Sequence, residues 1–531
     1  MYRGIIFGIA VFSLFMASAL TATIYVPDNY ATIQEAIDGS VNGDAVIVRP
    51  GTYVENLDFK GKAIIVRSEL GASFTTIDGN QTKSVVTFMS GEGTDTVLDG
   101  FTVTNGDSYL GGGIICFYSS SPTIVNNIIT ANSAEKGGGL SCSYVSSPTI
   151  TNNTISANLA TSLGGGIFCG TASSPAIVNN TIISNETDRD GGGISCLSNA
   201  SPNIRNNTII SNSAYDDGGG VYIYESSPTV ANNTISANEA HDGGAVYCRH
   251  DAFAIFVNNI ISDNTARVLG GGFYCRDCSP TVTNNTIVAN TSSEGGGGGV
   301  AATSGASPIF ANTIFWRNSA PSGKEIWVGS SITSSSLDID HSDVEGGQSS
   351  CFVDSGCALN WGTGMIDADP LFVDLAGGDL HLTYPSPCGN AGDAAATGLP
   401  TDDFEGDPRA AWNGIDMGAD EVYFHLYCMG DVVPGGNLTV RVIGWPTMWT
   451  RIALGSGIRT PPISTMHGLF YLESPISTIY LDYIPPNGVI DCPAKVPVLW
   501  QTGHKYPLQA LVGGFGWPSS RLSNLLTLTV E

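Results

Sequence analysis

The chain has 531 residues, long enough for more than one domain, and only 13% of them are charged. Its 48 acidic and 21 basic residues give a net charge of −27, which argues against nucleic acid and anionic membrane surfaces as partners, because both bind basic surfaces. With 66 glycines and 42% hydrophobic residues, the composition indicates an ordered chain with many turns.

Residues 1–22 are predicted to be a signal peptide. Arg3 precedes an apolar stretch over residues 5–16, and the small residues Ala17-Ser18-Ala19 form a cleavage motif. The apolar stretch is shorter than the ~20 residues of a membrane-spanning helix, and no later segment reaches that length. We therefore expect an exported protein, secreted or at the cell surface, with no transmembrane segment in the mature chain. Export makes disulfides possible among the 12 cysteines.

Residues 30–37, YATIQEAI, are predicted to form a short amphipathic helix ahead of the first strands. Its apolar face would cover an exposed sheet edge, which otherwise invites aggregation. Between residues 46 and 100, segments such as AVIVRPGTY and AIIVRS predict about three irregular coils.

A motif of the form S-P-x-I-x-N-N-x-I-x-x-N, followed by a variable turn and G-G-G-I-x-C, defines eight repeats of 26 to 28 residues. Each repeat contains three short segments in which apolar residues alternate, which predicts three strands per coil. One coil could not bury its apolar residues alone, but stacked coils turn them into continuous columns. The fold class is therefore predicted to be all-β, with a parallel β-helix of about eleven coils over residues 23–343.

Two kinds of polar column accompany the apolar ones. The asparagine pairs, and a further asparagine five residues after each pair, are predicted to make bends and amide ladders between coils. A cysteine follows most of the glycine triplets at an inward position, and we expect it to be a reduced, buried core residue. These cysteines are Cys116, Cys142, Cys169, Cys196, Cys248 and Cys275.

The repeat ends near residue 343, and two further regions follow. Residues 344–423 are predicted to be an acidic, loop-rich closing segment, in which Cys351 and Cys357 are close enough in sequence to form a disulfide. Residues 424–531 contain strand-like segments such as LTVRVIG and LLTLTVE separated by Pro and Gly turns. They predict an Ig-like β-sandwich that a Cys428–Cys492 disulfide could bridge.

The N-terminal stretch TIQEAIDGSVNGDAVIVRPGTYVENLDFKGKAIIVRS resembles the cap and first coils of the pectate-lyase-like superfamily of right-handed parallel β-helices. The repeats resemble the generic bacterial β-helix repeat proteins of that superfamily. IDADPLFVD, SPCGNAGD and GIDMGADE resemble the closing segment of β-helix proteins that carry a choice-of-anchor Q region. The resemblance implies the fold, whereas the enzyme motifs of the superfamily, such as G-H-G, R-I-K and W-I-D-H, do not occur in the sequence.

The position before the cysteine column is predicted to point outward, and it carries aromatic residues in neighbouring repeats. Tyr222, Tyr247 and Tyr274 occupy it, and Tyr224, Arg249 and Arg276 lie two residues further along. Aromatic faces beside arginines would suit an acidic polysaccharide or cell-surface glycan, through apolar contact and bidentate carboxylate binding. Alternatively, these tyrosines only stabilise the sheet through cross-strand pairs.

Three aspartates precede the glycines in consecutive repeats, and they are candidates for chemistry. Asp190, Asp217 and Asp242 would stand about 5 Å apart on adjacent coils, near the carboxylate separation in retaining glycosidases. Together with Asp188 and Asp216 they could instead bind Ca²⁺, or simply form a solvated acidic turn. A second Ca²⁺ candidate is the acidic part of the closing segment, comprising Asp367, Asp369, Asp374 and Asp379.

Three functions remain open from the sequence. The first is non-catalytic binding of a glycan or matrix along one face of the β-helix. The second is a polysaccharide lyase or glycoside hydrolase that uses the aspartate column. The third is a structural spacer that presents the C-terminal domain. The near-constant repeat length favours the first and third over the second, because enzymes on this fold usually carry long loops that wall a cleft.

Overall fold

The computed structural model describes residues 21–383, 386–409 and 414–422, together with the backbone of the strands between residues 425 and 529. Residues 23–361 form a solenoid in which each strand pairs in parallel with the equivalent strand of the next coil. This confirms the predicted all-β fold and parallel β-helix. The solenoid has about thirteen coils rather than about eleven. It continues past residue 343 to Ala358–Trp361, in coils that lack the repeat motif by which coils were counted.

Four parallel sheets run along the solenoid, and we number them in the order in which a coil visits them. The first sheet comprises Thr23–Val26, Ala45–Val48, Ile65–Ser68, Val97–Asp99, Thr123–Val125, Thr149–Thr151, Ala176–Val178, Asn203–Arg205, Thr229–Ala231, Ile255–Val257, Thr281–Thr283, Ile309–Ala311, Ser336–Asp340 and Ala358–Trp361. The second sheet comprises Gly51–Val54, Thr75–Asp78, Thr102–Thr104, Ile128–Thr130, Thr154–Ser156, Thr181–Ile183, Thr208–Ile210, Thr234–Ser236, Ile260–Ser262, Thr286–Val288, Ile314–Trp316 and Asp343–Val344.

The third sheet is shorter than the other three. It comprises Asp107–Leu110, Ser133–Lys136, Leu159–Leu163, Glu186–Thr187, Ser213–Ala214, Glu239–Asp242, Thr265–Leu269 and Thr291–Ser292. The fourth sheet comprises Leu57–Asp58, Val86–Phe88, Ile114–Cys116, Leu140–Cys142, Ile167–Cys169, Ile194–Leu197, Val221–Tyr224, Val246–Arg249, Phe273–Arg276, Val300–Thr303, Ile326–Val328 and Phe352–Val353.

The prediction of three strands per coil is wrong for the regular repeats. The segment between the second asparagine column and the glycine triplet pairs in parallel from coil to coil and forms the third sheet. Its side chains vary between repeats, so no alternating pattern indicated a strand. Its small inward residues, such as Ala134, Ala160 and Ala240, are nevertheless buried.

The apolar columns line the interior of the solenoid as predicted. Ile124, Ile129 and Ile114 begin three of these columns, and they and their equivalents in the later repeats are fully buried. Parallel pairing places equivalent residues side by side, for example Ile150 beside Ile177. Each column therefore buries apolar surface continuously along the solenoid axis.

Left-handed residues turn each regular coil between its sheets. The first asparagine of each pair adopts positive φ, for example +55° at Asn206, which confirms the predicted bend. The first glycine of each triplet also has positive φ, +68° at Gly218. The next glycine, Gly219, has no room for a side chain, because a Cβ there would lie 2.5 Å from the carbonyl oxygens of Glu239 and Gly244.

Two asparagine ladders run through the solenoid, as the sequence indicates. In the first ladder, Asn180 Nδ2 donates to Asn207 Oδ1 at 3.1 Å, and Asn207 Nδ2 donates to Asn233 Oδ1 at 3.0 Å. In the second ladder, Asn185 Nδ2 donates to Asn212 Oδ1 at 2.9 Å. These amides are buried and satisfied, so their role is structural.

The predicted N-terminal cap is present as the helix Ile33–Gly39. Thr32 caps it, since its hydroxyl accepts a hydrogen bond from the backbone N–H of Glu35 at 3.1 Å. Ile33, Ala36 and Ile37 are buried against the first coil, which covers that end of the solenoid core.

The cysteine column is reduced and buried in the core, from Cys116 to Cys275. Cys351 and Cys357 are also free thiols, so the predicted disulfide between them is not formed. Instead they pack beside the last coils, where Cys357 Sγ accepts a hydrogen bond from Ser335 N at 3.4 Å.

The closing segment docks along the side of the solenoid. It contains the 3₁₀ helix Gly347–Ser350 and the antiparallel strands Phe372–Asp374 and Asp379–Leu382. Asparagine side chains at the bend between the first and second sheets hold it. The amides of Asn258, Asn284 and Asn312 donate to the carbonyl oxygens of Asp402, Asp416 and Asp393, respectively.

The C-terminal region forms antiparallel sheets, consistent with the predicted all-β domain. One sheet comprises His425–Met429, Asn437–Ile443 and Val489–Lys495, and another comprises Trp449–Leu454, Ser477–Tyr483, Lys505–Gly513 and Arg521–Thr529. Ile458–Thr465 pairs with Gly468–Leu472. The predicted Cys428–Cys492 disulfide lies outside the residues whose side chains are described, as does the predicted signal peptide over most of its length.

Candidate functional site

The glycine triplets form a concave corner between the third and fourth sheets. Positive φ at Gly218 and Gly243 turns the chain so that outward side chains of the two sheets face each other. A Cβ at Gly243 would lie only 2.8 Å from the Cβ of Tyr247. We call this surface the glycine corner. It is lined by Asp190, Asp217, Asp242, Tyr222, Tyr247, Tyr274, Arg249 and Arg276.

The three corner tyrosines are buried, contrary to the prediction that their faces are open to a ligand. Tyr222, Tyr247 and Tyr274 are only 4%, 1% and 5% exposed. Their rings pack on one another, with centroids 5.5 Å apart for Tyr222–Tyr247 and 4.9 Å apart for Tyr247–Tyr274. The three rings point away from the solenoid core, but they are buried in the concave corner. There they form a second apolar cluster with Leu163 and Phe168.

Tyr224, Arg249 and Arg276 follow the tyrosines on the rim of the corner. Tyr224 pairs in register with Arg249, which in turn pairs with Arg276, and all three are partly exposed. Arg249 Nε is buried without a hydrogen-bond partner among the described residues. A buried guanidinium N–H of this kind is available to an acceptor on a ligand.

The aspartate column stands in register on consecutive coils, as predicted. Gly191 N donates to Asp217 O and Gly218 N donates to Asp242 O, both at 2.9 Å, and Asp217 and Asp242 pair in parallel. Parallel pairing places equivalent residues about 4.8 Å apart along the sheet. Asp242 is further fixed because its Oδ1 accepts a hydrogen bond from Leu269 N at 2.8 Å.

Burial shifts the protonation of this column. Burial and the neighbouring carboxylates of Asp190 and Asp242 raise the pKa of Asp217 to about 8. Burial also raises the pKa of Asp190 to about 6, although the nearby Arg189 opposes the shift. At neutral pH Asp217 therefore largely keeps its proton and could donate it, while Asp190 is mostly ionised.

A cleft that the sequence did not single out lies beside the corner, on the outer face of the third sheet. It has a volume of about 470 Å³ and is lined by Ser213, Ala214, Tyr215, Asp216, Glu239, Ala240, His241 and Arg267. We call it the third-sheet cleft. Tyr215 in this cleft is 78% exposed. The cleft adjoins the glycine corner, because His241 Nδ1 of the cleft lies 3.3 Å from Asp242 Oδ2 of the corner. The only sequence signal for it is the aromatic and charged content of the variable segments.

The comparison with protein families identifies the architecture. The sequence model for the right-handed beta helix region matches residues 40–209, 162–287, 188–315 and 220–363, which together span residues 40–363. The chain belongs to this right-handed β-helix family. The overlapping matches shift along the chain in the way that a repeated coil predicts. They end at residue 363, so the resemblance of the closing segment to a choice-of-anchor Q region stays a prediction.

Among solved structures, the complex of XylC with xylose aligns over 90% of this chain and 100% of that chain, with 10% sequence identity and a TM-score of 0.39. No curated protein matches the sequence significantly. Within the residues described, no helix of this β-helix protein has the length and hydrophobicity to span a membrane.

The predicted Ca²⁺ ligands of the β-helix protein do not converge. Two groups of three donor residues in the described part of the chain have ligand atoms within 4.8 Å of one another, namely Asp340, His341 and Asp393, and His381, Glu405 and Asp420. Neither group includes the aspartate column or its neighbours Asp188 and Asp216. Asp216 instead pairs with Arg189 at 3.7 Å.

The acidic residues that the sequence indicated in the closing segment contact backbone N–H groups or a histidine. Asp367 Oδ1 accepts a hydrogen bond from Gly346 N, Asp369 Oδ1 from Leu371 N, and Asp374 Oδ1 from Gly377 N. Asp379 contacts the imidazole of His381. These four aspartates therefore do not form one Ca²⁺ site.

Proposed function

We propose that this β-helix protein is exported and binds a polysaccharide, without cleaving it, along the third-sheet cleft and the adjoining glycine corner. Tyr215 carries the proposal, because its exposed ring lies in a cleft between acidic and basic side chains. Such a ring offers an apolar face to a sugar while the neighbouring polar groups bind its hydroxyls. Acidic polysaccharides are the first class to test.

The polar groups around Tyr215 suit a glycan better than an apolar ligand. Asp216 and Glu239 supply hydrogen-bond acceptors, and Arg267 supplies a cation that could bind a uronate carboxylate. At the corner, Arg249 Nε offers a further donor. The cleft runs along consecutive coils, so an extended chain could contact several of them in succession.

The test measures retention of the mature protein on acidic and neutral polysaccharides, with and without Ca²⁺, by affinity electrophoresis. We expect Tyr215→Ala to reduce retention at least about tenfold, and Tyr118→Ala to leave it unchanged. Tyr118 is a matched control, since it is 60% exposed but lies at the turn between the fourth and first sheets. Absence of retention on any polysaccharide would reject binding and favour a structural spacer for the C-terminal region.

A second candidate function, glycoside hydrolysis, is favoured by the unequal pKa values of Asp217 and Asp190. One protonated and one ionised carboxyl group about 5 Å apart are what a retaining glycosidase uses. The same assay should then release reducing ends, and both Asp217→Asn and Asp190→Asn should abolish that release. Such a result would overturn the non-catalytic proposal, whereas retention without products would support it.

A further inference from the structure

Three residues that are distant in sequence converge in the closing segment. His381 lies on the strand Asp379–Leu382, Glu405 lies in the turn over residues 403–407, and Asp420 lies close to the end of the closing segment. His381 Nε2 is 2.9 Å from Glu405 Oε1. One ligand atom from each of His381, Glu405 and Asp420 lies within 4.8 Å of the other two.

Asp420 provides an independent sign that the cluster takes a ligand. Its side chain is buried, with the residue only 5% exposed. Its Oδ2 accepts a hydrogen bond from Leu382 N at 2.7 Å, whereas its Oδ1 is buried without a hydrogen-bond partner among the described residues. A buried carboxylate oxygen without a donor is costly, and a bound cation would remove that cost.

The backbone and a neighbouring carboxylate hold these groups in place. Asp403 Oδ1 accepts the backbone N–H groups of Glu405, Gly406 and Asp407 at 2.8 to 3.0 Å, which fixes the turn that carries Glu405. Asp379 contacts His381 Nδ1, which leaves Nε2 to face Glu405. A carboxylate on the far nitrogen is the usual support for a metal-binding histidine.

We propose that His381 Nε2, Glu405 and Asp420 bind one divalent transition-metal ion, and that Asp379 orients His381. An imidazole with two carboxylates suits Zn²⁺ or Mn²⁺, whereas Ca²⁺ takes six to eight oxygen ligands. The two carboxylates balance the charge of the ion. The side chains of His381 and Glu405 are 23% and 28% exposed, which gives the ion access from solvent.

The site lies in the segment that the solenoid holds through Asn258 and Asn284, apart from the glycine corner. It joins a strand, a turn and the end of the closing segment. A bound ion would therefore connect these three parts of the closing segment and stabilise the segment against unfolding. The inference does not depend on polysaccharide binding.

The experiment uses the full chain, freed of metal with a chelator, and titrates ZnCl₂ against it by calorimetry. We expect one ion per chain, and an affinity at least about tenfold lower in Glu405→Gln and in Asp379→Asn. His341→Gln, in the other group of three donors, should leave the affinity unchanged. X-ray absorption of the zinc-loaded protein should show nitrogen and oxygen ligands with one imidazole.

Three results would overturn the proposal. The first is the absence of Zn²⁺ binding, which would leave His381 as an imidazolium paired with its carboxylates. The second is equal affinity in the Glu405→Gln variant and the unsubstituted chain. The third is sulfur in the absorption spectrum, which would assign the ion to cysteines such as the nearby Cys388. Because Glu405 lies near the surface, Glu405→Gln is expected to fold, which circular dichroism would check.

Discussion

Glu325 ends the second asparagine ladder by receiving two hydrogen bonds from Asn318. Asn318 Nδ2 donates to Glu325 Oε2 at 2.6 Å, and Asn318 N donates to Oε1 at 3.2 Å. In the preceding coils, each ladder asparagine donates instead to the asparagine of the next coil. For example, Asn290 Nδ2 donates to Asn318 Oδ1 at 3.0 Å. Glu325 is 1% exposed, so the ladder terminates on a buried carboxyl group.

Glu325 should make the stability of the last coils fall as pH rises. Burial raises its pKa from 4.5 to about 8, so the folded state holds a proton that the unfolded state has lost. The contribution of Glu325 to the free energy of unfolding is complete below pH 4.5. It decreases by about 1.4 kcal/mol per pH unit from there until about pH 8. Thermal unfolding between pH 4.5 and 9 measures this slope.

Glu325→Gln removes the titrating group and should flatten this part of the pH profile. The variant keeps one of the two acceptors for Asn318, so we expect it to be less stable than the unsubstituted chain at pH 5, by about 1 kcal/mol. The order should reverse by about pH 6, because a loss of about 1.4 kcal/mol per pH unit then exceeds this difference. Parallel profiles for the two proteins would show that Glu325 does not titrate in this window.

The first asparagine ladder is predicted to stabilise the solenoid strongly at Asn207. Asn207→Ala removes the acceptor for Asn180 N and Nδ2 and the donor to Asn233 Oδ1. Because the groups left behind are buried, we expect a loss on the order of 3 kcal/mol in unfolding free energy. Hydrogen exchange should increase most in the two adjacent coils.

Asn203→Ala is the matched control for that ladder variant. Asn203 lies in the same coil with an exposed side chain, and we expect its substitution to change stability by less than about 0.5 kcal/mol. A similar loss in both variants would mean that the ladder adds nothing beyond ordinary surface contacts.

Substitution by alanine should lower stability at Tyr247 and polysaccharide retention at Tyr215. Tyr247→Ala empties a buried site between two tyrosine rings, so we expect a loss on the order of 3 kcal/mol in stability. Tyr215→Ala should leave the unfolding midpoint unchanged and weaken polysaccharide retention. A different result would place the ligand in the glycine corner instead. In that case a folded Tyr247→Ala variant would lose polysaccharide retention, while Tyr215→Ala would retain it.

The cysteine column should be fully reduced and protected in the native protein. Burial raises the pKa of the Cys142 and Cys248 thiols well above their usual range, which slows their reaction with alkylating agents. We expect no labelling of this column in the native state and complete labelling in denaturant without a reductant, measured by mass spectrometry. Thiols that stay unlabelled in denaturant would indicate disulfides.

The sequence by itself determined the solenoid and its columns. Parallel stacking repeats the same environment every coil, so equivalent residues at Ile124 and Ile150, or at Asn180 and Asn207, recur at a fixed spacing. Alternation along each short strand then separates inward from outward side chains. For that reason the buried columns, the left-handed asparagines and the register of the aspartate column could all be predicted.

Only the tertiary structure decided what the outward residues face. Alternation places Tyr247 outside the solenoid core, but the bend at Gly243 makes the surface there concave and buries the ring. Burial at this corner is also the largest cause of the raised pKa of Asp217. Likewise, His381 and Asp420 meet through folding of a segment without repeats, so no periodic pattern records their contact. Periodicity encodes which side of a strand a residue occupies, whereas curvature and docking determine whether that side is open to solvent.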